Sequence, residues 1–390
     1  MRWFGFGFNA FGQIRVQEGL VKDENSEAVK EVKVSEPTEL SCHADRRGCC
    51  RKPAQVRASW SRTACLHFDG DSRVSLAGFG ASISNQCCES GGCTDAFITE
   101  SHLTLAFPDR VESWDLQKKD KTPWSMEVPS QAGSSAVNLP LVPGGYVALK
   151  LPFFRTLSPQ LQAKSLALGG EHATLLTATG AVYTWGQGSH GQLGHGGLVS
   201  EEEPRTVEAL WGMPMSSVAA GGWHTVCISD AGDLYVWGWN ESGQLGLPSR
   251  GLRKASQQKS CQQGELHPDA STSICKEQQE GEKLEEVFIS IQAFPALLDV
   301  SPSCEIRTVS CGSRHTAAVT TTGDLYTWGW GEYGQLGHQT SVSSDEPQLV
   351  EFFREKQMQV VDVVCGPWNT FTAILEEDVL GLKNTTKSPT

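Results

Sequence analysis

Residues 221–248 read GGWHTVCISDAGDLYVWGWNESGQLGLP. A short run, TVCISD, is followed by a glycine turn and a second run ending in Tyr-x-Trp-Gly. The runs are rich in Val, Ile, Thr and aromatics and are bounded by glycine, which is strand composition with hairpin punctuation. The pattern returns at 312–339 as GSRHTAAVTTTGDLYTWGWGEYGQLGHQ and at 169–195 as GGEHATLLTATGAVYTWGQGSHGQLGH. Each unit therefore runs Gly-x-x-His, an apolar run, a Gly turn, Tyr-x-Trp-Gly, then Gly-Gln-Leu-Gly. The spacing is about 52 residues from Gly169 to Gly221, the length of a four-stranded propeller blade. A helical repeat of that length would need long runs at 3.6-residue spacing, which are missing there. Trp185, Trp237 and Trp328 are read as core, packed between blades, with Trp-Gly at a blade corner. His172, His224 and His315 recur once per unit and are read as structural hydrogen-bonding positions.

The last unit opens with CGPWNTFTAILEED at Cys365 and has no Trp-Gly or Gly-Gln element after it. Those elements stand at the other end of the chain, in FGFNAFGQI, Phe6 to Ile14, with Phe6 in the Trp place and Ile14 in the Leu place. The expectation is that the N-terminal strand pairs with the C-terminal blade and closes the ring, leaving no unpaired edge at the junction. A degenerate unit begins near Ala58, with Thr63 in the Thr place and Gly78 in the Trp-Gly glycine place. Between Gly80 and Leu168 there is room for one more blade, anchored by VESWDL at Val111 to Leu116. The pattern has six unit starts, and a seventh blade could lie in the diverged first half. The fold expected is all-β, a propeller of six to seven four-stranded blades spanning 1–380. Residues 3–14 are the closing strand, 58–164 diverged blades, 165–376 well-matched repeats and 381–390 a flexible tail. The polar stretches 16–56 and 250–286 are read as disordered insertions, the second lying between one blade and the next.

The net charge is -13 over 390 residues. That disfavours a general DNA-binding surface, which needs clustered Lys and Arg. It suits a basic protein partner, or serves solubility alone. The start MRWFGFG is not a charged lead before a long apolar run, and no stretch reaches membrane-spanning length. With cysteines such as Cys227, Cys311 and Cys365 placed in strands, a reducing compartment is expected, nucleus or cytoplasm. Cys42, Cys49, Cys50, Cys87, Cys88 and Cys93 lack the paired spacing of a structural zinc site. There is no P-loop, no G-x-S-x-G, no His-Glu-x-x-His and no dinucleotide fingerprint, so no enzyme activity, cofactor or metal is expected.

The units quoted above resemble the repeats of the regulator-of-chromosome-condensation family. The resemblance is strong over roughly 165–376 and 3–14 and loose elsewhere. It implies a β-propeller, seven-bladed in the type member, that acts by binding proteins. WFGFGFNAFGQ, FPALLDV (Phe294 to Val300) and CGPWNTF resemble one branch of the family more closely. That branch implies a nuclear, chromatin-linked scaffold that binds a Jumonji-type histone-modifying oxygenase and recruits or regulates it; a monomer is expected before the complex forms. The type member of the family implies the alternative, guanine-nucleotide exchange on a small GTPase, although no exchange element can be located residue by residue. The candidate partner contacts sit where the repeat varies: Trp223, Arg314 and Trp368 where another unit has Glu171, and Trp239 and Trp330 where another has Gln187. Trp and Arg are common interface anchors.

Overall fold

His172–Thr177, His224–Ser229, His315–Thr320 and Asn369–Ile374 are each buried along their whole length. A strand covered on both faces cannot alternate apolar and polar, and these runs hold Thr beside Val, Leu and Ala instead. Each is the second strand of a sheet, with an antiparallel strand on either side. The computed structural model describes residues 1–14, 32–40, 53–68, 72–80, 90–117, 122–128, 137–253, 287–300 and 304–375. These residues form seven antiparallel sheets, so the chain is a seven-bladed propeller, numbered here in chain order. Blade 1 joins the two ends of the chain. Blade 2 spans 55–78, blade 3 spans 95–127, blade 4 spans 141–156, blade 5 spans 163–206, blade 6 spans 215–298 and blade 7 spans 306–349.

The first strands line the ring axis. Ala163–Leu168 touches Met215–Ala220, then Ile306–Cys311, Val360–Cys365, Gln55–Ala58 and Asp95–Ile98 follow in turn, and Leu141–Val142 touches Ala163–Leu168. The ring closes at blade 1. Arg2–Phe8 lies antiparallel to Asn369–Ile374, with Phe6 opposite Thr370, as Trp328 stands opposite Thr316. Phe6 is fully buried in the Trp place and Ile14 is buried in the Leu place.

The structure corrects the sequence reading at three points. Residues 33–39, inside the stretch 16–56 expected to be disordered, form the outer strand of blade 1 against Arg2–Phe8. The N-terminal part of the chain thus supplies two strands of the closing blade rather than one. Between Gly80 and Leu168 there are two blades, not one. Leu141–Thr156 makes a blade of three short strands in which Val142, Val147 and Phe153 pack against Ala106 and Val111 of blade 3. The insertion 250–286 falls within blade 6, between its third strand Leu234–Trp239 and its fourth, Ile291–Leu298, not between two blades. Residues 16–31, 41–52, 254–286 and the tail 381–390 lie outside the described residues, as do Cys42, Cys49, Cys50, Cys87 and Cys88. Cys93 is buried in the core of blades 2 and 3.

Neighbouring blades are joined by the residues that define the repeat. His172 Nε2 meets Thr225 Oγ1 at 2.8 Å, and that hydroxyl donates to the Gln192 carbonyl at 2.8 Å. The hydroxyl proton is therefore spent on Gln192, and His172 must carry its own proton on Nε2. Trp237 Nε1 donates to the same carbonyl at 2.9 Å. Blade 6 holds blade 7 in the same way through His224, Thr316, Gln244 and Trp328. Blade 7 holds blade 1 through His315, Thr370 and Gln335. Burial pushes His172 down to about 4, and His224 and His315 to about 3, so all three are neutral at physiological pH.

Candidate partner-binding face

The glycine of each Trp-Gly pair explains how the variable residues come together. Gly238 has a φ of +111°, and a Cβ there would stand 2.5 Å from the Trp223 carbonyl oxygen. Only glycine permits both the conformation and the approach. The next amide then donates to that carbonyl, Trp239 N to Trp223 O, at 2.9 Å. The same bond recurs from Gln187 to Glu171, Trp330 to Arg314, Phe8 to Trp368 and Phe79 to Ser61, at 2.8–2.9 Å. Each of blades 5, 6, 7, 1 and 2 therefore sets one pair of variable residues side by side on one face of the ring.

All five residues singled out in the sequence fall in these pairs, and all five are half-buried. They form two clusters. Trp223 and Trp239 meet edge to face with centroids 5.6 Å apart, and His190 packs on both. The Arg314 guanidinium lies 4.8 Å above the Trp239 ring, a cation–π contact from blade 7 to blade 6. Its Nε is buried without a hydrogen-bond partner. In the second cluster Trp330 packs on Trp368 and Tyr333, each at 4.9 Å.

Sequence reasoning missed the continuation of that second cluster. Tyr333 leads to Phe8 at 4.9 Å, and Phe8 leads to Phe11 and Trp60. Phe11 leads to Phe79 at 5.5 Å, where the Arg62 guanidinium stacks at 5.2 Å. Phe8 and Phe79 hold the same repeat place as Trp239, so the alignment that found Phe6 could have found them. Trp60 and Phe79 are 44% and 55% exposed, so the belt ends in open aromatic surface on blade 2.

Among the described residues no group of His, Cys, Asp and Glu is placed to hold a metal ion. No helix of the described residues is long and apolar enough to cross a membrane. What the face offers is large, rigid aromatic area with two stacked guanidinium groups, the composition of a protein-binding surface.

Two family models described as "Regulator of chromosome condensation (RCC1) repeat" match the chain, one at residues 179–228, 231–269 and 322–373, the other at 163–192, 215–244 and 306–335. RCC1 domain-containing protein 1 of Homo sapiens is 42% identical over 392 residues, covering 96% of this chain and 97% of the relative. The Mus musculus protein of the same name is 42% identical over 397 residues with the same coverage. Among solved structures, Prp20p of Saccharomyces cerevisiae superposes with a TM-score of 0.68 at 17% identity, over 97% of this chain and 92% of that one. At that identity the likeness shows the fold alone.

Proposed function

Because this chain belongs to the regulator of chromosome condensation (RCC1) repeat family, we propose that it is a non-catalytic, protein-binding propeller whose contact face is the aromatic belt of blades 6, 7, 1 and 2. The observation that carries this reading is the pairing of variable residues on one face, filled by Trp and Phe in four successive blades. Polar Glu171 and Gln187 fill the same places in blade 5. The partner we assign is a Jumonji-type histone-modifying oxygenase, bound together with histones and recruited or regulated by the propeller in the nucleus. The whole-length likeness to RCC1 domain-containing protein 1 supports a protein-binding propeller. Prp20p, described by its binding to Gsp1p and histones, supports histones among the partners. A net charge of -13 suits a basic partner better than DNA.

The test is direct. The purified chain is titrated with a purified Jumonji-type oxygenase, with nucleosomes and with a panel of small GTPases. Binding to the oxygenase that falls at least about 10-fold in Trp223→Ala or Trp330→Ala, at unchanged melting temperature, supports the reading. Loss of binding and of stability together would make these tryptophans packing residues. Accelerated nucleotide release from a GTPase, without oxygenase binding, would replace the reading with exchange activity.

A further inference from the structure

The fourth strands of the blades form the outer wall of the ring, and most of them follow one rule. Glu201–Thr206 reads EEEPRT, Ser344–Leu349 reads SDEPQL and Lys33–Glu39 reads KVSEPTE. Pairing with the third strands places Pro204 and Pro347 in the same register, and Glu203 and Glu346 precede them, both exposed. Glu36 stands likewise before Pro37 and is exposed. Exposed charge and proline on an edge strand keep other chains from adding to it. The fourth strand of blade 6, Ile291–Leu298, reads IQAFPALL. It keeps the proline, Pro295, but Phe294 takes the glutamate place. Phe294 and Leu297 are each 54% exposed, and Ile291 is 39% exposed.

These side chains are not isolated. The Phe294 ring rests on Gly196, and Gly196 N donates to the Ala293 carbonyl at 2.9 Å. This brings the blade 5 loop against the strand, and that loop runs on to Leu198 and Val199, 52% and 75% exposed. The short turn Glu208–Leu210 also touches the strand; Trp211 follows it, 66% exposed. An apolar strip thus crosses the outer seam of blades 5 and 6, beginning beside the aromatic belt at Ile291, which pairs with Trp239, and running outward to Phe294 and Leu297. Glutamates rim it. Glu201 is paired with Arg205 at 2.6 Å, whereas the exposed Glu202, Glu203 and Glu208 have no ion pair among the described residues.

We propose that this strip is a second docking surface, and that its occupant is a basic amphipathic helix of a partner protein. Charge and geometry select that occupant. The unpaired glutamates call for Lys or Arg flanking an apolar stripe. Strand addition is poorly served, because the Ala293 and Phe294 carbonyls are already taken, by Gly196 N and by Gln292 Nε2, and Pro295 has no N–H to offer. A helix uses side chains instead, seating apolar residues at i, i+3, i+4 and i+7 spacing. The chain's own segment 254–286 is a poor cover, since QQKSCQQGELHPDASTSICKEQQEGEK within it is almost wholly polar. This surface does not depend on the aromatic belt's role.

The test titrates the full chain against a fluorescent Leu/Lys amphipathic helical peptide and its Leu/Glu counterpart, read by anisotropy at low and high salt. The Leu/Lys peptide is expected to bind. Phe294→Ser with Leu297→Ser should weaken it at least about 10-fold. Glu202→Lys with Glu203→Lys should weaken it at low salt and much less at high salt. If the Phe294 variant melts early, Val199→Asp, at a 75% exposed position, replaces it. Equal binding of the Leu/Glu peptide, or undiminished binding by variants that remain folded, overturns the proposal. So does a wild-type dimer that Leu297→Ser splits, which would make the strip a self-interface. Binding lost in Trp223→Ala but kept in the Phe294 variant would assign the peptide to the aromatic belt and refute this site.

Discussion

Blades 5 to 7 and blades 2 to 4 solve the same problem, holding one blade against the next, with different chemistry. In the first group each seam is neutral: a buried histidine, a threonine, a glutamine carbonyl and, from blades 6 and 7, an indole N–H. In the second group the seam is ionic. Arg62 stands where the histidine would be and donates to the carbonyls of Phe79 and Glu100. Glu100 in turn accepts from Ser61 Oγ at 2.6 Å. Nearer the axis, Arg57 pairs with Asp95 at 3.0 Å, and the other oxygen of that carboxylate accepts from Leu139 N in blade 4 at 2.9 Å. One geometric requirement is thus met twice, so the repeat motif is a sufficient way to build a seam and not a necessary one. The junction between the two systems, blade 1 to blade 2, has neither. Asn369 is too short to continue the histidine chain, and both its amide atoms and Thr63 Oγ1 lack partners.

Removing the closure between the chain's ends should have the largest effect. Deleting residues 1–14 strips blade 1 of its third strand and leaves Asn369–Ile374 with an open edge. Cooperative melting should disappear in calorimetry, while trimming residues 382–390 should leave the melting temperature unchanged. Equal melting of the two truncations would show that the ring does not depend on its closure.

Acid should separate the two groups. The three seam histidines have folded values of about 3 to 4, below the ordinary value near 6.5. The unfolded chain therefore takes up protons first. The stability they secure is complete above about pH 6.5 and is lost as pH falls toward 4 to 3, by up to a few kcal/mol per histidine. Hydrogen exchange should show blades 5 to 7 losing protection in this window before blades 2 to 4. Simultaneous loss in every blade would mean that the ring opens as one unit.

Asp95→Ala probes the ionic group. It removes the partner of Arg57 and of Leu139 N from a site where Asp95 is 3% exposed, and should cost about 3 kcal/mol. Denaturant unfolding would measure it; a cost below about 1 kcal/mol would make the ion pair incidental. The smallest effect expected is a gain. Asn369→His should extend the neutral chain to Thr63 and stabilise by about 1 kcal/mol, which the additional change Thr63→Val should cancel. A loss in the single variant would show that blade 2 stands too far off to be reached.

The legibility of the chain followed burial. The second strands, covered on both faces, and the Trp-Gly corners, closed against a carbonyl, tolerate few residue types, and so they repeat visibly. Outer strands have one open face, which is why Lys33–Glu39 passed for a polar insertion. Blade 4 is built from strands of two or three residues, too short to show a period. The candidate face was half legible. Five residues stood out because they vary at a repeated place, but Phe8 and Phe79 occupy that place in degenerate units and escaped notice.

The sequence by itself determined the blade, the ring and the joining of its ends, because strand composition, glycine-only corners and buried histidines are local demands that residue types record. Only the tertiary structure decided that Trp330, Trp368, Phe8 and Phe79 form one belt, and that Phe294, Leu198 and Trp211 share one wall. Ring closure places residues far apart in the chain side by side, and no local pattern encodes which side chains will meet across each seam.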